Sequence, residues 1–394
     1  MLQISESDRT TKFAFWALGF RPFFLLAPAV AVLELAVWLL DLSGVSFVRG
    51  YWHGMTAHAH EMIFGFAMAV VAGFLLTAAR NWTGLWTWRG PRLAVLVVVW
   101  LLARILNWLP VPSWLVAVVD LIFVPMVMFA LWQVLWPVRQ YRNFIFMPVL
   151  LLMWLGNFLM HADRLGWIAS VSHHGLYLGL DILLVLISLL GGRVIPFFTE
   201  RGLGLTSAMA RTPRLDLMIL AAMVLFAVAH QIQWQGTLTS VAALTALAIQ
   251  GVRCFRWWRR GILGVPLLWS LHFSYWWLLV GLFMVALQPW MSFSPWLSVH
   301  AFTVGTISGM ILAMMARVSL GHTGRQLSPP DLMVAGFAII QIAAGLRVFG
   351  PWLFPEQHLF WMVASGSLWV MAMLIFVVTY GPMLIRPRMD GQPG

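Results

Sequence analysis

An all-α, polytopic transmembrane bundle of about twelve spans is the fold class this sequence predicts, and three observations predict it. Of its 394 residues, 61% are apolar and only 9% charged, too few to clothe a water-soluble globule. The apolar residues gather into runs close to the roughly 20 residues that a bilayer core demands. Arginine and lysine collect on alternate loops, so successive runs read as successive crossings.

Residues 1–12 are polar, and the apolar run behind them is too long, and lacks a small-residue cleavage site, for a removed signal peptide. It reads as the first span, about 20–40, and carries Glu34. The second, 58–79, opens on His58-Ala59-His60-Glu61. Spans 93–110 and 114–136 form a hairpin about Pro110-Val111-Pro112, and Arg104 and Asp120 stand at matching depth on its arms, which predicts an ion pair. Span 144–161 ends on His161, and 174–198 follows His173-His174 and carries Asp181. Span 215–233 contains His230, and 237–253 leads to a basic loop beside Cys254, the one cysteine. A single thiol excludes an internal disulfide, so any metal site here uses nitrogen and oxygen donors. Spans 265–288, 296–317, 331–350 and 357–383 are separated by Gln288-Pro289-Trp290, a polar loop and Gly350-Pro351-Trp352, where proline ends a helix. Nothing between the spans is long enough for a soluble domain, so residues 1–394 read as one transmembrane domain. The 24 Trp and 27 Phe suit the bilayer interface and core.

Cationic side chains orient the chain. One set of loops carries Arg9 and Lys12, Arg80, Arg89 and Arg92, and so on to Arg386 and Arg388, whereas the opposite set carries only Arg49 and Arg164. Both termini are therefore expected on the cytoplasmic side. Orientation and contact with anionic headgroups account for the net charge of +11, so no nucleic-acid partner is required.

With that orientation, nine of the eleven histidines fall at the outer side, His272 and His322 being the others. Glu34, Glu61, Asp120 and Asp181 map to outer halves as well. Ionisable groups at depth are costly unless paired, liganded or hydrated, so an outward-facing polar or metal-binding cavity is the common explanation. His58 and Glu61 share a helix face. His58 and His60 diverge by about 200° on a regular helix, and so serve one metal only if the helix unwinds there. We take His58, His60 and His300 as candidate cofactor ligands, with Glu61, His161 and His230 as further candidate metal ligands, since neutral imidazole suits copper, iron and zinc. Arg193 and Arg317 are expected to snorkel at inner helix ends, with an anion clamp as the alternative. A single register shift lays His60 on His300, Gly65 on Gly305, Thr83 on Thr323 and Gly84 on Gly324; these identities suggest comparable depth for the two histidines without amounting to a duplication.

Five ordered motifs carry a wider likeness: Leu18-Gly19-Phe20-Arg21-Pro22-Phe23-Phe24, His58-Ala59-His60-Glu61-Met62-Ile63-Phe64-Gly65-Phe66, Gly73-Phe74-Leu75-Leu76-Thr77 through Gly84, Gly191-Gly192-Arg193-Val194-Ile195-Pro196, and His300-Ala301-Phe302-Thr303-Val304-Gly305 through Arg325. Together they resemble the NnrS family of bacterial inner-membrane proteins over nearly the whole chain. Trp52-His53-Gly54 ahead of the His-Ala-His run departs from the family pattern, so His53 is not carried over as a ligand. The resemblance implies haem and copper cofactors, a link to nitric-oxide tolerance or denitrification, and about twelve helices. It implies no particular reaction.

Two other classes compete. A twelve-span secondary transporter or metal carrier would show repeated halves and broken helices near the midplane. A respiratory oxidase or nitric-oxide reductase core would fit a paired-histidine site, which His173-His174 superficially resembles, although that pair begins a span.

Overall fold

The computed structural model describes residues 13–45, 50–206, 209, 212–291 and 293–393; Arg9, Lys12, Arg49 and Arg211 lie outside them. Among the described residues the chain is all helix, with no strand, and twelve long helices appear where the apolar runs place them. They are α1 (Phe20–Leu42), α2 (Gly54–Thr83), α3 (Pro91–Leu106), α4 (Ser113–Leu135), α5 (Phe146–Arg164), α6 (Ser172–Leu203), α7 (Pro213–Ile232), α8 (Thr237–Trp257), α9 (Pro266–Leu287), α10 (Trp296–His322), α11 (Asp331–Leu353) and α12 (His358–Ile385). Eleven are long and apolar enough to cross a membrane. The exception, α3, has 16 residues and extends only about 24 Å. It packs against α4 as the second arm of the expected hairpin.

The helices form three units of four. Gly84, Gly204 and Gly324 are equally spaced along the chain, each has positive φ (73°, 61° and 70°), and each follows the second helix of its unit: α2, α6 or α10. A left-handed residue there closes the last turn, which a side chain bearing Cβ would resist. In every unit the second helix is the most buried, with 78%, 61% and 72% of its apolar stretch enclosed. Contacts of α4 with α5, α8 with α9 and α12 with α1 close the units into a ring around α2, α6 and α10. The register shift that lays His60 on His300, too sparse in identities to claim a duplication, relates the first and third units and passes over the middle one. The repeat hides in sequence because apolar helix surfaces conserve volume and spacing, not identity.

Small residues let helices meet closely where lipid supplies no hydrophobic drive between them. A Cβ on Gly175 of α6 would run into the Gly156 carbonyl oxygen of α5. Two central helices also widen into π turns, at Glu61–Ala67 in α2 and Ala301–Ser308 in α10, each directly after a histidine. Widening frees carbonyls from the regular ladder, and Trp100 Nε1 donates to the Gly65 oxygen at 3.0 Å.

One end of the bundle carries most of the arginines, and there the C-terminal tail folds back. Met389 N donates to Thr323 O at 3.0 Å and Arg80 Nη1 to Pro393 O at 3.2 Å. The Arg388 guanidinium holds the Asp390 carboxyl down at about 2, so the tail stays charged. The opposite, histidine-rich end is where the polar groups sink into the bundle.

Candidate cofactor cavity and buried histidine network

At the histidine-rich end a cavity of about 560 Å³ opens between α10, α12, α1, α2, α6 and α11, with mostly apolar walls. His58 and His300 both line it. The His58 ring is stacked on Trp38 at 5.5 Å and 10°, and its buried Nδ1 has no hydrogen-bond partner. His300 donates Nδ1–H to the Trp296 carbonyl at 2.7 Å, which leaves Nε2 with a free lone pair. Such a bond to the first ring nitrogen is how liganding histidines are oriented. Arg347 of α11 also lines the cavity, and among the described residues no carboxylate does. Tyr177 of α6 stands in the wall, its ring 5.2 Å from that of Trp234.

His60 points elsewhere, as the divergence of alternate residues on a helix requires. It is fully buried, with Nδ1 2.9 Å from Glu61 Oε1, and Nε2 2.9 Å from Asn157 Oδ1 and 3.3 Å from Asp120 Oδ2. His161 Nε2 lies 3.1 Å from the same Asp120 oxygen, and its Nδ1 is 3.0 Å from the Tyr51 hydroxyl. Burial pushes that phenol up, so it stays protonated. Arg104 pairs with Asp120, and its Nε sits 2.7 Å from Glu61 Oε2. The expected Arg104–Asp120 ion pair is therefore present, inside a larger network drawn from α2, α3, α4 and α5. Trp52 roofs it, with ring centroids 4.7 Å from His60 and 5.2 Å from His161. Gly65 makes room beneath, since a Cβ there would stand 2.6 Å from Glu61 Oε2.

One donor atom each from His60, Asp120 and His161 lies within 4.8 Å of the others, a spacing that could hold a metal ion. As the network stands, His60 Nε2–H donates to Asn157 Oδ1 and His161 Nε2–H to Asp120 Oδ2; holding a metal would require both imidazole protons on Nδ1, toward Glu61 and Tyr51, so that the Nε2 lone pairs and an Asp120 oxygen could face the ion. Nitrogen and oxygen donors of this kind suit copper(II) or zinc.

His230 forms a third, separate group. Its Nδ1 is 2.9 Å from Asp181 Oδ1, and its ring meets the edge of Tyr177 at 4.9 Å, so Tyr177 separates it from the cavity. The six sequence candidates thus divide into His58 with His300, His60 with Glu61 and His161, and His230 alone with Asp181. His173 packs on Tyr177 and Trp234, 5.8 Å from the His174 ring, and His358 is exposed at the cavity mouth. Glu34 accepts a hydrogen bond from Trp108 Nε1 at 3.0 Å. Arg317 lies 3.6 Å over the Phe198 ring and Arg193 donates to Asn143, both remote from the cavity.

Sequence reasoning passed over Arg347, Tyr51, Asn157 and Tyr177. Arg347 carried a signal, being a cation in the outer half of a span, where the charge bias leaves few. The other three are uncharged, and their roles depend on which helices meet.

The residues fit a metal-bearing group in the cavity: two imidazoles with uncommitted nitrogens, apolar walls, and a cation without an acid. A comparison with curated proteins gave no match. The family model described as NnrS protein matches residues 14–388, and with nearly its whole length covered this multi-pass membrane chain belongs to the NnrS family.

Proposed function

We propose that this protein is a haem- and copper-binding member of the bacterial inner membrane that acts in the response to nitric oxide, in nitrosative stress or denitrification. Both termini face the cytoplasm in this reading and the histidine-rich end faces the periplasm, as the arginine bias favours. The observation that carries it is the cavity shared by His58 and His300, each of which has one ring nitrogen without a partner in the protein.

His58 and His300 are the residues that would hold the haem, and the bound group would supply a redox metal that takes up a small diatomic gas when one imidazole is released. Trp38 fixes the His58 ring plane, and the Trp296 carbonyl fixes that of His300. The apolar walls admit nitric oxide from the bilayer and limit water. Copper is assigned to His60, Asp120 and His161, with Glu61 and Tyr51 orienting the imidazoles. Four helices per unit return the chain to its starting side, so the three units share one orientation; the inverted halves of many transporters are not the pattern here.

The test is an absorption spectrum with metal analysis of detergent-purified protein. Wild type should show a Soret band and bound copper. The His58→Ala/His300→Ala double variant should lose the band and keep copper, and His60→Ala/His161→Ala should do the reverse. A Soret band of full intensity in the first variant overturns the cavity assignment.

A further inference from the structure

We infer that the cavity recognises its ligand through a carboxylate arm, held by Arg347. The inference rests on the haem reading for its probe, while the unbalanced charge is read from the repeat. Arg347 lies on α11, the third helix of its unit, about one turn beyond Ala344, which the spacing of Gly84 and Gly324 sets opposite Arg104 on the third helix of the first unit. Arg104 is neutralised from within by Glu61 on α2 and Asp120 on α4. The spacing that relates Gly84, Gly204 and Gly324 puts Asp181 and Ala301 opposite Glu61. The third unit therefore lacks the first acid. It lacks the second as well, because α12 contains no Asp or Glu along its whole length.

Arg347 is left as a cation beside two imidazoles in a largely apolar cavity, with no ion-pair partner among the described residues. An arginine at membrane depth ordinarily meets a counter-charge or water. Where the first unit supplies the anion from its own helices, the third leaves an open volume in the corresponding place between α10, α12 and α1. A ligand that fills that volume brings the anion with it. A guanidinium fork matches a carboxylate with two parallel hydrogen bonds, a geometry Lys does not reproduce. The ligand class is then a flat apolar body with a metal for His58 and His300 and an acidic side arm for Arg347, so Arg347 sets its orientation and selects against neutral analogues.

The experiment loads purified wild type, Arg347→Leu and Arg347→Lys with haem and with haem whose two carboxylates are esterified. Thermal unfolding before loading checks that the variants are folded. Wild type should bind the free acid on the order of tenfold more tightly than the diester, the discrimination expected of one charge-assisted hydrogen-bonding site. Arg347→Leu should bind both forms alike, and Arg347→Lys should keep part of the preference. Equal affinity of wild type for the two forms overturns this inference and leaves the histidine assignment standing. Stoichiometric anionic lipid that accompanies wild type, is lost in Arg347→Leu and is not displaced by haem also overturns it, since Arg347 then serves a headgroup. A wild type that binds neither form overturns the haem reading and this inference together.

Discussion

The first and third units use the same architectural place in opposite ways. Between α2, α4 and α5 the space is filled by a network in which two carboxylates, on Glu61 and Asp120, face one guanidinium and the His60 imidazole, so its charge is balanced from within. Between α10, α12 and α1 the space is a cavity with a guanidinium and, among the described residues, no carboxylate, an arrangement suited to a ligand that carries negative charge. Helix geometry alone does not distinguish them, because both begin with a histidine followed by a π turn. What differs is one acid on the second helix and one on the fourth. Buried charge therefore determines which site is self-contained and which requires an outside group.

The largest break in that contrast should come from Asp120→Ala. It strands Arg104 and removes the meeting point of His60 and His161, and breaking a buried ion pair costs roughly 3–5 kcal/mol. Thermal unfolding in detergent should show this loss, whereas Arg347→Leu should leave the ligand-free protein as stable as wild type or more so. Equal destabilisation by both would mean that Arg347 has a partner within the protein. Gly65→Val comes next: its side chain must enter the space of the Glu61 carboxylate, and overpacking of this kind costs about 1–3 kcal/mol. Copper content measured on the same sample should fall with it if Glu61 orients His60.

Tyr51→Phe removes the group beside His161 Nδ1 while leaving the ring that packs near Trp52. Its stability loss should be near the roughly 0.5–1.5 kcal/mol of a single hydrogen bond. Metal affinity should drop by about 10–100-fold, as for other partners of liganding histidines, and a competition titration with a copper chelator would read it. The smallest effect belongs to His174→Ala, at the exposed rim with one long hydrogen bond of 3.4 Å to Gln231 and a ring contact to His173. Stability should stay within about 0.5 kcal/mol of wild type. Loss of haem or copper in that variant would move the centre toward the His173–His174 pair and revive a reductase-like site.

Fold class was legible because a membrane constrains sequence strongly: each span must be long and apolar, and cations mark the loops. Even α3, too short by length alone, was recognisable from the hairpin at Pro110-Val111-Pro112. Arg104 and Asp120 were legible as a pair for the same reason, since matched depth on two arms of one hairpin is a local relation. His230 was placed correctly near the end of its span, yet only the approach of α6 showed that it is occupied by Asp181. The threefold repeat stayed hidden apart from its outer two members, because lipid-facing and helix-facing positions tolerate any side chain of suitable size.

By itself the sequence determined the number of helices, their apolar character, the crowding of histidines toward one end and the depth of the buried charges. These follow from hydropathy, helical rise and charge bias, all read along the chain. Only the tertiary structure decided that His58 looks across to α10 while His60 looks toward α4 and α5, and that Arg104 is neutralised while Arg347 is not. Residues two apart on a helix face different neighbours, and what each neighbour supplies, a carboxylate or an open cavity, is settled by packing between distant segments.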